Sequence, residues 1–101
     1  MTNLEAVRRA MMKVLGISRA TAERHTYTGA TDPGEWSPRA AVVVHTEFIG
    51  AGDEFIPNPG ACDCSTADFE RWFTIDREVQ ANGCDLFHEP VNGAVIAFHK
   101  C

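Results

Sequence analysis

Apolar side chains recur at Leu4, Val7, Met11, Val14 and Leu15, spaced as one face of a helix. Thr2 and Glu5 stand at capping-box spacing at its start. Gly16 suits the left-handed position that ends a helix, and Ile17 is placed for the apolar contact that accompanies such a cap. Ser18 can cap a short second helix running to about His25. Thr26 to Pro38 reads as a loop, with a turn at Asp32-Pro33-Gly34. The pattern changes at Arg39. From there to Ile49, three successive valines suit a buried strand, with Val42, Val44 and Phe48 on one face and Val43, His45 and Glu47 on the other.

Gly50 to Cys64 holds three glycines and two prolines and reads as a long loop that Phe55 and Ile56 pin to the core. Ser65 or Thr66 caps a third helix to about Ala81, with Phe69, Trp72, Phe73, Ile75 and Val79 as its apolar stripe and Asn82-Gly83 as its end. Asn92-Gly93 then separates two alternating runs, the signature of a two-residue type I′ hairpin. That turn pairs Val91 with Ala94, Glu89 with Ile96, Phe87 with Phe98, and Asp85 with Lys100 on the core face. The other face pairs Pro90 with Val95, His88 with Ala97, Leu86 with His99, and Cys84 with Cys101. Pro90 makes the 84–91 run an edge strand. Phe69, Trp72, Phe87, Ile96, Phe98, Val42 and Val44 are the predicted shared core.

These elements predict an α+β fold in the order α-(α)-β-α-β-β. Two or three helices lie mainly on one face of a small antiparallel sheet of three or four strands. At 101 residues the chain is expected to form a single domain over 1–101, since two cores would each be too small. Its 45% apolar and 23% charged content lies outside the disordered range. No apolar run approaches the roughly 20 residues of a membrane span, and no signal-peptide pattern opens the chain. The expected location is therefore the cytoplasm, with no membrane partner.

The net charge of −5 is divided unevenly. Residues 1–25 carry five basic and two acidic side chains; residues 26–101 carry four basic and twelve acidic ones. A basic end on an acidic body points to nucleic acid at one end or a basic protein partner at the other.

Residues 8–25, RRAMMKVLGISRATAERH, resemble the helix-turn-helix of DNA-binding proteins, with Leu15 to Thr21 as the turn and the start of the recognition helix. The resemblance implies that Arg19, Thr21 and Arg24 contact DNA from the major groove. Ala22 and His25 stand where that motif usually has other apolar residues, and no third helix follows at once.

Cys62, Cys64, Cys84, His99 and Cys101 offer a second constellation, because two strands and a loop could supply four zinc ligands. The Cys62-x-Cys64 spacing is one short of the usual minimum, and the alternative is a set of reduced thiols packed as small hydrophobes. A Cys84–Cys101 disulfide would need an oxidising compartment. Cys64, just before the third helix, is the one nucleophile candidate, since the helix dipole could lower its pKa. No catalytic signature or cofactor motif is present.

The leading expectation is a non-catalytic protein that occludes a basic surface on a protein or nucleoprotein partner. Asp53, Glu54, Asp68, Glu70 and Glu78 are the predicted contacts. In size and charge the chain resembles phage-encoded inhibitors of host machinery, the anti-CRISPR proteins among them.

Overall fold

Thr2 Oγ1 accepts the Glu5 N–H at 3.1 Å and opens helix α1 (Asn3–Leu15). Gly16, at φ +72°, ends it by donating its N–H to Met12 O, and Ile17 is buried against the core. Ser18 caps α2 (Arg19–His25) by accepting the Thr21 N–H. The computed structural model describes residues 1–28, 40–47 and 54–100. The Asp32-Pro33-Gly34 turn, Phe48, Asp53 and Cys101 therefore lie outside the described residues.

Strand β1 (Thr26–Thr28) follows α2 directly, where the sequence predicted loop. It pairs antiparallel with β2 (Val42–His45) through Thr26–Val44 and Thr28–Val42. Arg8 holds it to α1: Nε donates to Thr26 Oγ1 at 2.7 Å and a second guanidinium nitrogen donates to Thr26 O. The three-residue length and the side-chain tie explain why no alternation announced this strand.

Ser65 Oγ accepts the Asp68 N–H and opens α3 (Thr66–Ala81). At the other end Gly83 (φ +86°) donates to Gln80 O and Cys84 to Val79 O, the paired bonds of a Schellman cap. Strands β3 (Leu86–Pro90) and β4 (Val95–Lys100) complete a four-stranded antiparallel sheet of order β1-β2-β4-β3. The α+β arrangement and the edge position of the Pro90 strand match the expectation.

The helices pack on the sheet face that carries Val42, Val44, Ile96 and Phe98. Val7, Met11, Ala22, Trp72, Ile75, Val79 and Leu86 join them in one buried cluster. Val43, Val95 and Ala97 form a smaller cluster on the opposite face.

The hairpin departs from its prediction by one residue. Phe87 pairs with His99 and His88 with Phe98, and Leu86, not Asp85, stands opposite Lys100. The connection is three residues long, since Val91 N–H bonds Val95 O at 2.9 Å. Asn92 Oδ1 accepts the Ala94 N–H at 2.8 Å, an Asx-type turn. Among the described residues only Gly16 and Gly83 have positive φ, so the type I′ turn is not formed. A one-residue slip inverts every side chain of β3. Leu86 and His88 face the helices, and Phe87 is 37% exposed beside His99. Phe69 also leaves the predicted core at 42% exposed. Trp72, Ile75, Asp76 and Val79 fill the buried side of α3, so Phe69 and Phe73 fall at its margin.

Candidate functional site

From Ile56 to Asn58 the segment 54–64 is tied down at three points. Trp72 Nε1 donates to Pro57 O at 2.8 Å, Ile56 is buried, and Asn58 Nδ2 donates to Thr46 Oγ1 at 2.9 Å. Asn58 also accepts the Gly60 N–H through Oδ1, which shapes the following bend. Phe55 does not pin the loop as predicted; it is 63% exposed. Between this segment, the end of β2, the start of α3 and the hairpin turn lies a cavity of about 190 Å3. Phe55, Ile56 and Pro57 give it apolar walls, and Asp63, Cys64 and Asp68 line it from the other side.

This end of the molecule is acidic. Glu47, Asp63, Asp68 and Glu70 lie within its stretches, with Arg71 their one base among the described residues. Arg71 meets Asp68 at 3.3 Å in an exposed i,i+3 pair of small energetic weight. Burial, then the charges of Asp68 and Asp63, push the Cys64 thiol above its ordinary pKa. That overturns the expectation of a thiol activated by the helix dipole.

After Asp68, one margin of the buried side of α3 carries two large half-exposed rings. Phe69 and Phe73 meet edge to face with centroids 5.5 Å apart, and Phe73 is 46% exposed. Glu70 lies on the same exposed side.

The other predicted acids are separated from one another. Glu54 is spent on α2: its carboxylate accepts the Ser18 N–H at 2.8 Å and the hydroxyls of Ser18 and Thr21 at 2.7 and 2.6 Å. Those bonds hold its pKa below the ordinary carboxylate range. Glu78 binds Lys13 on α1 at 3.0 Å, and lies about 15 Å along the helix from Asp68 at a rise of 1.5 Å per residue. Asp53 is outside the described residues.

At the helix-turn-helix-like segment, Arg19 forks onto Glu5 at 2.7 and 2.6 Å and reaches Glu23 at 3.3 Å. The first contact, with Arg9 adding to it, pulls Glu5 down to about 2. Thr21 is buried and points to Glu54, while Arg24 donates to Thr21 Oγ1 at 3.3 Å. All five basic side chains of residues 8–25, Arg8, Arg9, Lys13, Arg19 and Arg24, are thus bonded to the protein's own surface.

Among the described residues the cysteines are not gathered. Cys62 is exposed, Cys64 lines the cavity, and Cys84 is buried at the end of α3, its Sγ 3.7 Å from Met1 O. His99 lies on the sheet face away from the helices, 3.8 Å from Glu89. Among the described residues no three His, Cys, Asp or Glu side chains form a metal-sized group. No described helix is long and apolar enough to cross a membrane.

The sequence reading missed Asn58, Asp63 and Phe55 as neighbours, because an irregular segment has no period to follow. It also missed Asp76, which binds His88 twice among Trp72, Phe73 and Phe98. A carboxylate at helical spacing between Trp72 and Val79 was the available signal. Comparison with protein-family models, curated proteins and solved structures gave no match.

Proposed function

We propose that this protein is a binding protein that covers a basic surface on a protein partner, with the Phe69–Phe73 margin of α3 and the adjoining acidic end as its contact. The observation that carries the reading is the exposed Phe69–Phe73 pair set beside Glu70, Asp68 and Asp63. Aromatic rings supply the anchor energy of protein interfaces, because they bury much area for little lost freedom. The surrounding carboxylates steer a basic partner and add repulsion against nucleic acid and acidic surfaces. Occlusion needs no reacting group. It requires only that this face compete with whatever the partner's basic surface otherwise holds.

The test is capture from an extract of the native cells, with and without nuclease, by wild type and by Phe73→Ser and Glu70→Lys variants of unchanged melting temperature. A nuclease-resistant protein partner retained by wild type and lost by both variants supports the reading. Capture that vanishes with nuclease, or that ignores both substitutions, overturns it.

A further inference from the structure

We propose that the cavity between the 54–64 segment and the start of α3 receives one arginine side chain of the partner. This rests on the reading above and gives that surface its anchor point.

Size comes first. At about 190 Å3 the cavity is smaller than the roughly 300–1,000 Å3 of small-molecule sites, and suits a single side chain. Its lining is divided in the way a long cationic side chain is. Ile56, Pro57 and the exposed ring of Phe55 offer apolar contact to a methylene stem. Asp63 and Asp68 stand at the same cavity for the charged head. Asp63 is exposed and makes no ion pair among the described residues, and Asp68 holds only the exposed Arg71.

Arginine fits this lining better than lysine. Its planar guanidinium can bridge two carboxylates and stack on an aromatic face, and it sheds water more readily than an ammonium. The floor is rigid, since Asn58 is buried and bonded to both Thr46 and Gly60. Gly60 cannot be enlarged without crowding: a Cβ there would lie 3.1 Å from Pro90 Cβ and 3.2 Å from Asn92 O. The hairpin turn is thus packed against the segment that shapes the cavity.

The test is an amide-resolved NMR titration of the whole chain with N-acetyl-arginine amide, its lysine analogue and its uncharged citrulline isostere. Arginine should give saturable shifts at Thr46, Asn58, Ala61, Cys64 and Gly93. Lysine should bind more weakly, and citrulline weaker than arginine by roughly two- to fivefold, the range set by exposed ion pairs. Asp63→Asn should weaken arginine binding comparably, and salt should do the same. No saturable shifts at those amides, or equal binding of citrulline, overturns the proposal. If the titration fails while Phe73-dependent capture persists, the cavity is wrong and the binding face stands. If the cavity binds arginine but capture is nuclease-sensitive, the anchor stands and the protein-partner reading falls.

Discussion

Asp76 holds His88 with both carboxylate oxygens: Oδ1 accepts the backbone N–H at 2.8 Å and Oδ2 accepts Nδ1–H at 2.7 Å. The position of that N–H gives the contact its meaning. Val91 bonds β4, so alternate residues of β3 turn their backbone groups to the open side of the sheet. There Asp76 takes the His88 N–H, Gln80 Nε2 donates to Leu86 O at 3.0 Å, and Pro90 has no N–H to leave bare. The edge is closed to a further strand. Asp76→Ala strands a buried N–H and a buried imidazole, and should cost about 1–3 kcal/mol. Asp76→Asn keeps an acceptor for the N–H and can donate to an unprotonated Nδ1, so it should cost less. Urea unfolding of both variants checks the order, and an alanine variant as stable as wild type would refute it.

The slipped register makes a second prediction, because it separates phenylalanines that the sequence groups together. Phe98 is fully buried beside Trp72 and His88, whereas Phe87 and Phe69 are 37% and 42% exposed. Phe98→Ala should cost about 3–5 kcal/mol, a large share of the stability of a domain this size. Phe87→Ala and Phe69→Ala should each cost well under half of that. Comparable losses from Phe87 and Phe98 in thermal or urea unfolding would return Phe87 to the core.

The faces of β2 and β4 were legible because Val42, Val44, Ile96 and Phe98 leave one consistent choice of inward side. So were the helix ends, where Thr2, Ser18, Ser65, Gly16 and Gly83 each have one local job. Strand β3 was not. Leu86 and Phe87 are adjacent and both apolar, so its face hangs on whether the turn holds two residues or three, and Asn-Gly favours two. Tertiary packing decided otherwise, because only the longer turn brings His88 under Asp76. At the candidate site, the acidity of Asp68 and Glu70 was readable. The gathering of Phe55, Asn58 and Asp63 was not, nor was the bond from Glu54 to Ser18, 36 residues apart.

Two carboxylates at the α1–α2 junction should make the fold acid-sensitive. Hydrogen bonds from Arg19, then Arg9, lower Glu5 to about 2, and bonds from Thr21 and Ser18 lower Glu54. A pKa depressed on folding means that the unfolded chain binds the proton first as pH falls. The stabilisation is therefore full above the unfolded carboxylate value of about 4.3 and is lost as pH drops from there toward about 2. Melting temperature should fall across that window, less steeply in Glu5→Gln, which has nothing left to protonate. Identical slopes for wild type and variant would show that the Arg19–Glu5 fork contributes nothing in solution.

Two glycines distinguish the observed hairpin from the predicted one. Gly83 sits at φ +86° with open space where a Cβ would go, so Gly83→Ala carries a purely conformational penalty of about 1–2 kcal/mol. Gly93 has equally open space but no left-handed φ. A two-residue type I′ turn would place it at positive φ and make Gly93→Ala as costly as the change at Gly83. In the three-residue connection the same substitution strains nothing and restricts the unfolded chain, so it should be neutral or stabilising by about 0.4–1 kcal/mol. Urea midpoints of the two variants, taken side by side, decide it. A loss at Gly93 equal to that at Gly83 would restore the shorter turn, and with it a β3 whose Phe87 faces the helices and whose His88 cannot reach Asp76.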